Sequence, residues 1–179
     1  KKKPLVITEF GGSSYADNMS NLVKQVEVGL WTGFFSEMSI LPMYWWFALV
    51  EDKELYNYYD AIRLFGEKED RRGMMSTAFD VPNTSLQASE LRKNDRLMYW
   101  IFDKAFFFSD MENLTPAEQN GKKMVVMAPE PGEYSMEFWH TGNGKLLETR
   151  DLTVAKEAKV IELALPSFTR SIAVKIVKK

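Results

Sequence analysis

The sequence predicts an α/β unit followed by an all-β domain, an antiparallel β-sandwich. Three observations carry that prediction. Two short apolar runs near the N-terminus are each followed by a helical pattern. Near residue 75 the apolar period changes from that of a helix to two. Beyond that point, turn signals recur at the intervals an all-β domain shows. The 179 residues allow one or two compact domains, divided here into 1–75 and 76–179.

The first strand is expected at 5–7, a continuous apolar run of the kind found when both sheet faces are covered. Gly11-Gly12-Ser13-Ser14 forms a loop, and Asp17 or Asn18 can cap a helix carrying Met19, Leu22, Val23, Val26 and Leu30. Pro42 ends the next loop, and 43–49 is the second expected strand. A second amphipathic helix presents Leu55, Tyr58, Tyr59, Ile62 and Phe65 on one side, with Gly66 as its stop. The charged run 67–73 reads as an exposed connection. Strands are then expected at 85–91, 97–103, 122–128, 133–140, 145–153, 160–165 and 171–177. Pro129-Glu130-Pro131-Gly132 and Thr141-Gly142-Asn143-Gly144 supply turns. Alternation of Ile172, Val174 and Ile176 with Ser171, Ala173 and Lys175 predicts one buried face on the last strand.

A net charge of −2 gives no electrostatic case for nucleic acid or an anionic membrane. No apolar run is long enough to span a bilayer, and Lys1-Lys2-Lys3 is not followed by the apolar stretch of a signal peptide. The absence of cysteine excludes disulfides and thiol catalysis. His140 is the only histidine, so no typical structural zinc site is expected, and no phosphate-cradling loop, dinucleotide fingerprint or Ser/His/Asp set is present. No metal or cofactor is expected.

The residue most suited to chemistry is Glu9. It follows an apolar strand and precedes Gly11-Gly12, so its carboxylate is carried on a rigid element yet can face a cleft. Trp45 and Trp46 end the second predicted strand, where an indole face can support a sugar ring; alternation lets only one of them face the site, and Trp46 is favoured. Tyr15 and Glu51 lie in loops that can bound the same cleft, with Asp52 beside them, while Trp31 is read as packing.

Together these motifs resemble the C-terminal part of a retaining (β/α)8-barrel glycoside hydrolase, closest to cellulase-like and β-glycosidase members with an appended β-sandwich. Thr8-Glu9-Phe10-Gly11 resembles the end of the seventh barrel strand, Leu30-Trp31 a helix motif, and Pro42-Met43-Tyr44-Trp45-Trp46 the eighth strand. Gly132-Glu133-Tyr134-Ser135-Met136-Glu137-Phe138-Trp139 and the run from Leu165 to Lys175 are similar to these proteins' sandwich strands. Glu37-Met38-Ser39-Ile40-Leu41 departs from the small residues and glycine usual in that loop.

The resemblance implies the last two βα units of a TIM-barrel-like domain followed by an antiparallel β-sandwich, with Glu9 as the nucleophile of a double displacement on a poly- or oligosaccharide. Retaining glycosidases need a second carboxyl about 5–5.5 Å away. In the resembled barrels it belongs to an Asn-Glu pair after the fourth strand, which this chain does not contain. A barrel takes about 250 residues, so the missing N-terminal barrel segment is expected as another chain or as part of a longer precursor. The isolated chain is expected to hydrolyse nothing. The resemblance also implies a secreted or periplasmic location. The competing expectation is a non-catalytic carbohydrate-binding or structural β-sandwich module, with Trp100, Tyr134 and Trp139 as a sugar platform.

Overall fold

In the computed structural model, residues 5–13 and 17–179 are described. The chain is mostly sheet, with four helices among the described residues, in the order β1 (Glu9–Phe10), α1 (Met19–Phe35), β2 (Met43–Tyr44), α2 (Phe47–Asp52), α3 (Tyr56–Gly66), β3 (Met75–Asp80), β4 (Leu86–Lys93), β5 (Arg96–Asp103), α4 (Lys104–Phe107), β6 (Glu118–Gln119), β7 (Lys123–Met127), β8 (Gly132–His140), β9 (Leu146–Val154), β10 (Val160–Ala164), β11 (Phe168–Thr169) and β12 (Ser171–Lys178). Among the described residues, no helix is long and apolar enough to cross a membrane.

The N-terminal elements form a small parallel unit. β1 pairs with β2, Glu9 opposite Met43 and Phe10 opposite Tyr44. The strand expected at 5–7 is reduced to one bridge, Leu5 to Met38, and Leu5, Val6 and Ile7 are exposed rather than covered on both faces. The strand expected at 43–49 stops after Tyr44, and Trp45 and Trp46 lie beyond it. The chain turns there because Trp46 becomes the N-cap of α2, its carbonyl accepting from Val50, so that Leu49 and Val50 are buried from a helix instead of a strand.

Helix α1 starts as its cap chemistry dictates: the Asn18 side chain accepts from the Asn21 amide at 2.8 Å. Its C-terminal carbonyls are satisfied from elsewhere, by Arg71 Nη1 on Phe34 O and Ser76 Oγ on Phe35 O, both at 2.5 Å. Helix α3 crosses α1 closely, and a Cβ on Gly66 would come within 2.8 Å of the Phe34 ring. Gly66 therefore both ends the helix and admits its neighbour.

The strands of the second half build a six-stranded antiparallel sheet in the order β3-β4-β5-β12-β8-β9. The sequence pattern located β4, β5, β7, β8, β9, β10 and β12 to within two residues. It did not locate the edge strand β3, the short pair β6–β11 or the single turn α4. Alternation along β5 divides the core: Leu97, Tyr99 and Ile101 face a cluster with the β7–β10 and β6–β11 ribbons, while Met98, Trp100 and Phe102 face α1, α3 and α4. The central strands are thus buried on both faces, against the expectation of one buried face for β12.

Ser171, Ala173 and Lys175 are all closed to solvent. Lys175 tolerates this because Glu69 lies 3.2 Å from its ammonium and the rings of Phe65 and Trp139 each lie 4.8 Å away. Glu69 in turn pairs with Arg96 at 2.5 Å. The charged run 67–73 is therefore in part an internal counter-charge, not only an exposed connection.

Candidate functional site

Glu9 is placed by its neighbour in sequence. The Phe10 ring wedges against α1 at Gly29, where any Cβ would collide with it, and lies 5.2 Å from the Tyr44 ring. Because successive strand residues face opposite sides, Phe10 and Tyr44 on the helix side put Glu9 and Met43 on the uncovered side. Both are exposed, and among the described residues nothing pairs with the Glu9 carboxylate.

The loop after Glu9 is held at both ends of Gly12. Its amide donates to Gln25 Oε1 at 2.7 Å, and its carbonyl accepts from Trp46 Nε1 at 2.6 Å. Gln25 also donates to Asp17 Oδ2 at 3.0 Å and accepts from the Tyr44 hydroxyl at 3.3 Å. That hydroxyl donates to Leu22 O at 3.1 Å as well. Burial, with Asp17 and Tyr59 nearby, pushes the Tyr44 phenol up to about 12, so it remains a donor at ordinary pH. Gly11 adopts φ 147° with Tyr44, Trp45 and Trp46 all against it, a conformation side chains avoid. Trp45 closes the approach by donating its amide to Phe10 O at 2.7 Å.

The two tryptophans differ in availability. Trp45 is 54% exposed, whereas Trp46 is half-buried against the helix-side core and its N–H is engaged by Gly12. Glu51 is exposed on α2 and accepts from the Tyr56 hydroxyl, which raises the Tyr56 pKa; no contact joins it to Glu9. Asp52 is likewise exposed. Tyr15 lies outside the described residues. Trp31 is wholly buried, stacked on Trp100 with ring centroids 6.4 Å apart and donating to Thr141 O at 3.2 Å, so it packs as expected.

Trp100 and Tyr134 are also closed to solvent, and Trp139 is partly buried edge-on to Phe65. These three residues therefore present no coplanar aromatic platform. His140 accepts from Gly142 N at 3.0 Å within its turn. Among the described residues, no three His, Cys, Asp or Glu side chains are grouped to hold a metal.

Sequence reasoning missed Glu27, a buried carboxylate on α1. It accepts from Thr141 Oγ1 at 3.0 Å and Ser171 Oγ at 2.8 Å, and pairs with Arg170. Its position four residues before Trp31 and seven before Phe34 places it on the helix's core face, a signal available in the sequence. The largest cavity described, about 840 Å³, lies beyond the C-terminal end of α1, lined by Ser36, Met38, Asp70, Arg72 and Met75, and includes no residue of β1 or β2.

No protein-family model matches this sequence, and no curated protein is detectably similar to it. Solved structures are similar in fold. A protein described as a glycoside hydrolase superposes over 97% of this chain with a TM-score of 0.61 at 14% identity. A glycoside hydrolase family 5 protein from Bacteroides vulgatus gives 0.57 over 96% at 13% identity, and a GH30 endoxylanase from Clostridium papyrosolvens gives 0.53 over 97% at 11%. This chain spans about two fifths of each of those proteins, 40% to 41% of their length. At these identities the likeness establishes a shared fold: this chain has the fold of part of a glycoside hydrolase.

Proposed function

We propose that the chain is the C-terminal part of a retaining glycoside hydrolase, with Glu9 as nucleophile. In this reading residues 1–75 are the last two βα units of a (β/α)8 barrel, and residues 76–179 form a β-sandwich that braces them. The observation carrying the proposal is the placement of Glu9: its carboxylate stands on the uncovered face of a parallel strand pair, beside exposed Trp45, while Phe10 and Tyr44 anchor the opposite face. The uncovered apolar side chains Leu5, Ile7, Met43 and Trp45 favour further barrel strands on that face.

The chemistry follows from one carboxylate here and a second supplied by the missing segment. Glu9 attacks the anomeric carbon of a poly- or oligosaccharide while the second carboxylic acid protonates the departing oxygen. A glycosyl ester on Glu9 results, which water cleaves with the second residue acting as base. Trp45 offers the more accessible wall for the sugar, and Trp46 holds the loop. The barrel partner is either a separate chain or the preceding part of a longer precursor, and the chain alone hydrolyses nothing.

The test is trapping with a 2-deoxy-2-fluoroglycoside in the complete enzyme, followed by peptide mass spectrometry. The proposal requires the label on the peptide containing Glu9. A label on any other carboxylate, or turnover by the 179-residue chain alone, overturns it.

A further inference from the structure

We propose that the cavity between the start of α1, the end of α2 and the α4–β6 connection binds an oxyanion, the carboxylate or sulfate group of an acidic sugar. The cavity holds about 320 Å³ and is lined by Ser20, Lys24, Lys53, Phe106, Glu112 and Arg170, among others. Three cations thus face one carboxylate.

Two of those cations are incompletely answered by the fold. Lys24 is only 4% exposed, and its ammonium donates to neutral oxygens, Asn21 Oδ1 at 3.1 Å and Ser109 O at 3.0 Å. Burial lowers its pKa, with Arg170 adding to that and Asp110 opposing it. An anion in the cavity would stabilise this ammonium directly. Arg170 uses Nη2 for Glu27 and Tyr58, while its buried Nε has no partner among the described residues.

The helix reinforces the preference. Met19 and Ser20 open the 17-residue α1, whose first turn carries no acidic residue to complement its positive end. Phe106, Met19 and Val23 supply an apolar wall of the kind sugar carbons contact. Lys24 immediately precedes Gln25, whose side chain holds the Gly12 amide, and Lys53 follows α2. Attribution to a sugar rests on the glycosidase reading; retention of an anion does not.

The experiment is an amide NMR titration of the 179-residue chain with sodium glucuronate, sodium sulfate and glucose at constant ionic strength. Saturable shifts at Ser20, Lys24 and Asn113 are expected with glucuronate and sulfate but not with glucose. Lys53→Ala, at an exposed side chain, should weaken binding about threefold, and Glu112→Gln should tighten it by about the same factor. Shifts of equal size at these residues with glucose overturn the assignment to an oxyanion. Absence of saturable shifts, or affinities unchanged in both variants, overturns the site. None of these readouts requires hydrolysis, so failure of Glu9 as nucleophile leaves them intact.

Discussion

Arg170, on the turn between β11 and β12, pairs with the buried Glu27 of α1, so one ion pair ties the large sheet to the helix that follows Glu9. Thr141 and Ser171 donate to the same carboxylate, and the Tyr58 hydroxyl accepts from Arg170 at 3.0 Å. Arg170 holds a left-handed backbone, φ 63°, to reach this position.

Removing one partner of such a pair leaves a buried group uncompensated. Glu27→Ala should cost about 3–5 kcal/mol of unfolding free energy, measured by urea denaturation. Arg170 is 28% exposed in its side chain and Glu27 only 1%, so Arg170→Ala, which strands the more deeply buried charge, should cost the same or more. Exchanging both residues for apolar ones of similar volume should restore most of the loss.

Lys175 and Glu69 offer the same contrast on β12. Glu69→Gln should strongly destabilise the protein, because Lys175 is left charged among Phe65 and Trp139 without an opposite charge. Lys175→Met should be nearly neutral or stabilising in the same denaturation series. A large loss in Lys175→Met would show that the ion pair contributes net stability.

Gly29 and Phe10 are expected to act as one unit. Gly29→Ala places a methyl group where the Phe10 ring lies and should cost about 1–3 kcal/mol as an overpacking change. The double variant with Phe10→Ala should fall short of additivity, because both changes release the same contact. Under the proposed role of Glu9 as nucleophile, Gly29→Ala should also lower kcat of the complete protein by moving the strand that carries Glu9.

The two tryptophans should separate in kinetics and stability. Under the proposed glycosidase function, Trp45→Ala, at an exposed indole, should raise KM with little change in Tm. Trp46→Ala removes partly buried area and the Gly12 hydrogen bond, and should lower both Tm and kcat.

The pH dependence of stability should report Lys24. Its pKa is lowered in the folded state, so its charge opposes folding below that value. The penalty is relieved as pH rises from the lowered folded value toward the unfolded value of about 10.4. The stability difference between the native chain and Lys24→Met should therefore shift in favour of the native chain across that interval, as followed by urea midpoints.

Much of the sheet was legible because its strands announce themselves locally. β7 and β8 alternate, and the turns at 129–132 and 141–144 bound them. β3 was missed because it is an edge strand whose sequence, Met75 to Asp80, has little apolar alternation to show. The second predicted strand was overextended because Phe47, Leu49 and Val50 suit a strand as well as a helix, and only the packing of α2 decides between them. The position of Glu9 just ahead of the glycine loop was legible in the sequence, but the different exposure of Trp45 and Trp46 was not. Which indole is exposed depends on where the chain leaves the strand.

Sequence alone determined the first helix with its cap at Asp17 or Asn18, the positions of seven strands and the carboxylate ahead of Gly11. These follow from short-range periodicity and turn chemistry, which act within a few residues. Tertiary structure decided that helices cover one face of the large sheet, that Lys175, Glu27 and Glu69 are interior, and that Lys24, Lys53 and Arg170 share a cavity. Those outcomes depend on charges and surfaces brought together across more than a hundred residues, as with Glu27 and Arg170, and no local pattern encodes that meeting.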